Sequence, residues 1–280
     1  MLKAGDLRLV TNAPLLAIHG SAATGRQWDS LRDQIGEARA VLAPDLPGYG
    51  DNLNPLPGKQ VGLGARAQPL VDLLASLSYP VHVVAHSFGA AIALELVRTL
   101  PGAVRSLWLY EPVVPSLLQT AGTERDLALR SDLACLADML DRANAGVAMA
   151  AFIDFWHGGA CWQHLSASRQ ALLAMQANVV LQDFREAFAH PLPGTALRRF
   201  SAPAHIVAGG DATVHATRMA ALLAELLPNS SRSSMAGMGH MGPCTHPETV
   251  NAAIRAWLDH AENHQPQTLP VEHSPASVNV

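Results

Sequence analysis

Three short stretches of the chain carry side chains able to perform acyl transfer. In VHVVAHSFGAA (81–91), Ser87 follows a run of apolar residues and precedes a helical pattern. A serine at the apex of such a turn needs a positive or nearly positive φ and small neighbours, because strand and helix then approach closely. Ala85 and Gly89 lie two residues to either side, followed by Ala90 and Ala91. A serine that only capped the helix would not require them. The helix from Phe88 would also aim its N-terminal N–H groups at the serine oxygen. Ser87 is therefore the candidate nucleophile. The pattern is A-x-S-x-G where G-x-S-x-G is the commoner nucleophile turn.

A serine hydroxyl needs a base to take its proton. Among 13 histidines, His240 stands in SSMAGMGHMGP (233–243), a glycine-rich loop between the expected last strand and the last helix. That places it at the carboxyl end of the sheet, with Ser87. His19 and His86 also end strands but sit in tight turns and read as structural or lining groups. The base needs a carboxylate to fix its tautomer. Asp211, at the end of AHIVAGGD (204–211), is the expected partner, with Glu111 at the end of SLWLYE as its competitor. Asp45, in APDLPGYG, reads as part of a capped turn. For the oxyanion, one N–H is expected from Phe88. The other is expected from HGSAATG (19–25), at Ser21 with Ala22 as second choice.

These groups require a scaffold of strand ends. LLAI (15–18), AVLAPDL (40–46), VHVVAH (81–86), SLWLY (106–110) and AHIVAGG (204–210) read as strands buried on both faces. Helical patterns run over 63–78, with Leu70, Leu73, Leu74 and Leu77 on one face, and over 88–100, stopped by Pro101-Gly102. Alternating strands and helices predict a doubly wound, mostly parallel α/β sheet. The alternation breaks over 112–199, which carries no strand-like run. A helix start is expected at Thr123 to Asp126 and a stop at Gly146. Such a segment would sit over the strand ends as a lid. The expected organisation is core α/β over 1–111 and 200–262, a helical cap over 112–199, and a disordered tail over 263–280.

Composition narrows the function classes. The 280 residues are 49% hydrophobic and 15% charged, with a formal net charge of −4. No basic patch draws the chain to nucleic acid. No stretch approaches the ~20 apolar residues of a membrane span. The N-terminus has no signal-peptide pattern. Cys135, Cys161 and Cys244 lack metal-ligand spacing and read as free thiols, so a cytoplasmic protein is expected. A homodimer is allowed.

Taken in order, HGSAATGRQW, PDLPGYG, AHSFGAA, the helical segment, GGDATV and GMGHMGP resemble the α/β-hydrolase fold family, in its lidded esterase and lipase-like branch. The resemblance covers about residues 14 to 260. It implies an eight-stranded sheet and a Ser87, Asp211, His240 triad. It also implies an oxyanion loop at His19-Gly20-Ser21, a cap near 112–199 and neither metal nor organic cofactor. The implied function is hydrolysis of carboxylic esters with small to medium apolar acyl groups. Carbon–carbon bond hydrolysis on the same triad is the alternative, as is a cofactor-free oxygenase or haloperoxidase-like chemistry. Trp156, Phe152 and Phe155, in AFIDFWHGGACW (151–162), are the expected substrate-contacting residues; packing of cap on core is the competing role.

Overall fold

The computed structural model describes residues 12–53, 62–192 and 194–263. The expected tail from 264 onward lies outside these residues.

Six strands form one parallel sheet: β1 (Leu15–Ile18), β2 (Val41–Leu42), β3 (Val81–His86), β4 (Val104–Tyr110), β5 (Ala204–Gly209) and β6 (Ser230–Met235). Their order is β2-β1-β3-β4-β5-β6. The resemblance implies eight strands; six are present among the described residues. Apolar patterning does not name β6, because SSRSSM is polar and mostly exposed, as a strand at the sheet edge permits.

Alternate residues of the inner strands feed two cores, as the period of two requires. Leu15 and Ala17 of β1, Val84 of β3 and Trp108 of β4 pack with Trp28, Ile254 and Leu258. Leu16, Ile18, Val83, Ala85, Leu107 and Leu109 pack on the opposite face. Helices α1 (Asp29–Ile35) and α12 (Pro247–Asn263) cover the first face. Helices α2 (Leu63–Ala75) and α3 (Phe88–Thr99) pack together on the second.

Between β4 and β5 the chain is helical: α4 (Pro115–Ala121), α5 (Glu124–Arg142), α6 (Ala145–His157), α7 (Ala167–Ala174), α8 (Ala177–Ala189) and α9 (Gly194–Leu197). Thr123 starts α5 as expected, its side chain accepting from the Asp126 N–H. Gly146 is not a stop. The break comes earlier, where Asn144 accepts from the Val147 N–H and caps α6, leaving Gly146 inside its first turn. A side chain that satisfies an orphan N–H starts a helix where a glycine alone only weakens one. Helix α10 (Val214–Leu226) follows β5, and α11 (Gly242–Thr245) precedes α12. None of the described helices is long and apolar enough to cross a membrane.

Candidate active site

Ser87 stands between β3 and α3 with φ 55° and ψ −123°, a strained conformation for a residue with a side chain. The turn closes only because its neighbours are small. A Cβ on Gly89 would lie 2.4 Å from the His19 carbonyl oxygen and 2.7 Å from that of Ile18. The first turn of α3 points its unpaired N–H groups back toward Ser87.

His240 lies on the loop between β6 and α11. Its Nε2 is 3.0 Å from Ser87 Oγ. Its Nδ1 lies 2.7 Å from Oε2 of Glu111. The other carboxylate oxygen of Glu111 accepts from the Gly209 N–H at 2.8 Å. Ser87, His240 and Glu111 are all buried. Glu111 reaches this position from a backbone turned to φ 43° just past β4.

The expectation of Asp211 as the orienting acid is therefore corrected. Asp211 is exposed, and its backbone N–H donates to the Met238 carbonyl at 2.9 Å. Both acids follow adjacent parallel strands, so their placement in the sequence is equivalent. What separates them is burial: Glu111, directly after β4, is fully buried, whereas Asp211 follows the exposed Gly210 and is itself exposed. A carboxylate drawn that deep must find a partner.

The neighbouring histidines hold the frame. His86 Nε2 donates to the His240 carbonyl oxygen at 2.8 Å, anchoring the loop that carries His240. Burial, with the nearby His240, holds His86 far below its ordinary pKa, so it is neutral. His19 accepts from the Leu46 N–H through Nε2 at 2.9 Å and donates from Nδ1 to the Gly20 oxygen at 2.7 Å. Burial lowers its pKa to about 4.

Two spaces adjoin Ser87. One is a niche of about 10 Å³, lined by Ser21, Ser87, Phe88, Trp156 and Asp183 among others, enough for a single water-sized atom. The other is a cavity of about 200 Å³ bordered by His240, Phe152, Ile153, Trp156, Leu165 and Leu173. Trp156 stacks on the His240 ring with centroids 4.6 Å apart. Phe152 and Trp156 thus line the spaces as the sequence suggests. Phe155 does not: it packs on Trp156 and on His215, with ring centroids 5.2 and 4.8 Å away. On a helix Phe155 lies about 100° around the axis from Trp156, which turns it toward other neighbours.

Sequence reasoning does not find a buried polar cluster beside the niche. Asp183 Oδ2, on α8, accepts from Ser21 Oγ at 2.6 Å and from Tyr49 Oη at 2.5 Å. Arg66, on α2, lies 2.5 Å from Asp183 Oδ1 and 2.8 Å from Glu186 Oε2. Its guanidinium also sits 5.8 Å from the centroid of the Phe88 ring. Tyr49 receives the backbone bond of Ala22 as well. These polar residues, from four separate segments, carry no shared pattern in sequence. Among the described residues, no group of three or more His, Cys, Asp or Glu side chains could hold a metal ion.

Residues 15–253 match the sequence model of a family described as the alpha/beta hydrolase family. Over 103 residues the chain is 37% identical to the lipase LipV of Mycobacterium tuberculosis, a match covering 36% of this chain and 38% of the lipase. Over 127 residues it is 28% identical to a 2-hydroxy-6-oxo-2,4-heptadienoate hydrolase of Pseudomonas putida, covering 37% of this chain and 46% of that protein. The chain thus spans less than half the length of these relatives. In three dimensions it is similar to a thermophilic esterase from Thermogutta terrifontis, with a TM-score of 0.68, 21% identity and 90% and 91% of the two chains covered. It is similar also to MenH from S. aureus, with a TM-score of 0.68, 19% identity and 91% and 97% covered. At such identities the likeness is one of fold.

Proposed function

The chain belongs to the alpha/beta hydrolase family, and on that premise we propose that it is a serine hydrolase cleaving carboxylic esters through an acyl-enzyme. The observation that carries this is the continuous relay from Ser87 Oγ through His240 to Glu111, with contacts of 3.0 and 2.7 Å. Ser87 attacks the ester carbonyl while His240 Nε2 takes its proton. Glu111 keeps the Nδ1 proton in place and stabilises the imidazolium. The oxyanion occupies the niche, facing the N–H groups of Phe88 and Ser21. The alcohol leaves with the proton from His240. Water, activated by the same base, then releases the acid.

The helices between β4 and β5 act as a cap that limits the acyl group. The cavity holds about 200 Å³, and Phe152, Ile153, Trp156, Leu165 and Leu173 supply the apolar part of its wall that comes from these helices and their connections. That volume suits short to medium chains rather than long lipid tails. No metal or organic cofactor takes part in this chemistry.

A second reading, carbon–carbon bond hydrolysis by the same triad, has a specific observation in its favour. Arg169, exposed on α7, lines the cavity, and it is the one permanently charged side chain on its wall. The Pseudomonas putida relative is named for a dienoate, which carries a carboxylate that a guanidinium would pair.

The test is labelling with a fluorophosphonate and mapping the adduct, followed by turnover of p-nitrophenyl esters of graded length beside a ring-cleavage dienoate. The adduct is expected on Ser87, and Ser87→Ala is expected to lose at least a thousandfold in turnover while keeping its fold. A label elsewhere overturns the assignment. Turnover of the dienoate without the esters selects the second reading.

A further inference from the structure

The Asp183 cluster touches both groups assigned to the oxyanion hole. Asp183 holds the Ser21 hydroxyl at 2.6 Å, while its ion-pair partner Arg66 lies over the Phe88 ring. Ser21 belongs to the loop after β1, Phe88 to the start of α3, and Asp183 to α8 in the helical segment. Asp183 and Arg66 are both buried, at 0% and 2% exposure. A buried charge network is costly to assemble and contributes little net stability against an apolar replacement. Its retention beside a reactive serine therefore calls for a role other than stability.

We propose that Asp183 is a positioning residue for the oxyanion hole: from α8 it clamps Ser21 directly and Phe88 through Arg66, so that the hole is complete only when α8 is seated on the core. This rests on the serine-hydrolase reading above. The neighbouring Tyr49 strengthens the clamp, because its hydroxyl donates to the same carboxylate oxygen while it takes the Ala22 backbone bond. With Ala22 so engaged, the loop that would supply the second oxyanion donor is held on both sides of its turn, where Ala22 itself has φ 58°.

The clamp needs a carboxylate, since two hydroxyls donate to one oxygen and a guanidinium faces the other. The groups facing Asp183 are Arg66 from α2, Glu186 from its own helix, Tyr49 from the segment after β2 and Ser21 from the loop after β1. Burial raises the Asp183 carboxyl to about 6 and Glu186 pushes the same way, while Arg66 and the two hydroxyls oppose them. Protonation as the pH falls through that value removes one acceptor position, so the turnover number should decline on the acid side.

The test compares kcat and KM for p-nitrophenyl butyrate in wild type, Asp183→Asn, Ser21→Ala and the double variant, with a separate sample of each labelled by a fluorophosphonate to map the reactive serine. Ser21→Ala keeps the backbone N–H and removes only the hydroxyl that Asp183 holds. Each single change is expected to lower kcat by about tenfold or more with KM within about threefold, as loss of a transition-state contact requires. The double variant should fall no further than the worse single, because both break one clamp. Asp183→Asn should also lose the part of the acid limb that Asp183 contributes, leaving the part that comes from protonating the base His240. If Asp183→Asn fails to fold, Ser21→Ala and Tyr49→Phe carry the same comparison. Changes confined to KM or thermal stability, or losses that multiply in the double variant, overturn the clamp. Wild type that labels at Ser87 beside unaltered kcat in the variants overturns the clamp alone; wild type without a label at Ser87 overturns both readings.

Discussion

Glu111 Oε2 lies 2.7 Å from His240 Nδ1, and the carboxylate is fully buried. It comes from the end of β4, one strand away from the β5 end that carries Asp211. The extra methylene of glutamate and a backbone φ of 43° carry the carboxylate to the imidazole.

This relationship separates two variants. Glu111→Gln keeps the shape but can present its amide N–H₂ to Nδ1, favouring the wrong tautomer. It is expected to lower kcat by about 10³ to 10⁴. Asp211→Asn should stay within about threefold of wild type, because the exposed side chain does not meet His240. Steady-state rates on a p-nitrophenyl ester decide the matter, and the opposite ranking would return the role to Asp211.

His19 links stability to pH. Its pKa is about 4 in the fold against 6.5 for the free side chain, chiefly because burial disfavours the cation; the Gly20 carbonyl and Asp45 act in the opposite sense. The unfolded chain therefore binds more protons between these values. Stability from this group is full above pH 6.5 and falls as the pH drops toward 4. The shift corresponds to roughly 3 kcal/mol. Thermal melts from pH 7 to 4.5 should show the decline, and His19→Gln should make it shallower, with buried His86 keeping part of it. A variant whose profile runs parallel to wild type rules out His19 as the source.

Trp156 couples the helical segment between β4 and β5 to His240. Its ring stacks on His240 at 4.6 Å and is 2% exposed. Trp156→Ala should cost about 3–5 kcal/mol of stability, the usual range for a buried Trp truncation. The vacated volume joins the cavity beside Ser87, so the preferred p-nitrophenyl ester should lengthen. Denaturant melts and a chain-length series measure the two effects. An unchanged chain-length optimum would show that Trp156 does not bound the acyl site.

Local pattern alone was enough to place several features. Buried strands announced themselves as short apolar runs, because a parallel sheet is covered on both faces. Ser87 was legible because a sharp strand-to-helix turn admits only small residues at Ala85 and Gly89. His240 was legible because its glycine-rich loop comes between the last strand and the last helix. The family itself followed from the order of such stretches. Tertiary structure alone decided which acid meets the base. Glu111 and Asp211 stand at equivalent strand ends, and their difference lies in burial and in the backbone angle at Glu111. It alone brought Asp183, Arg66, Tyr49 and Ser21 together, from four segments separated by up to 162 positions. Periodicity records which face of an element is buried. It carries no information on which distant side chain the fold sets against that face.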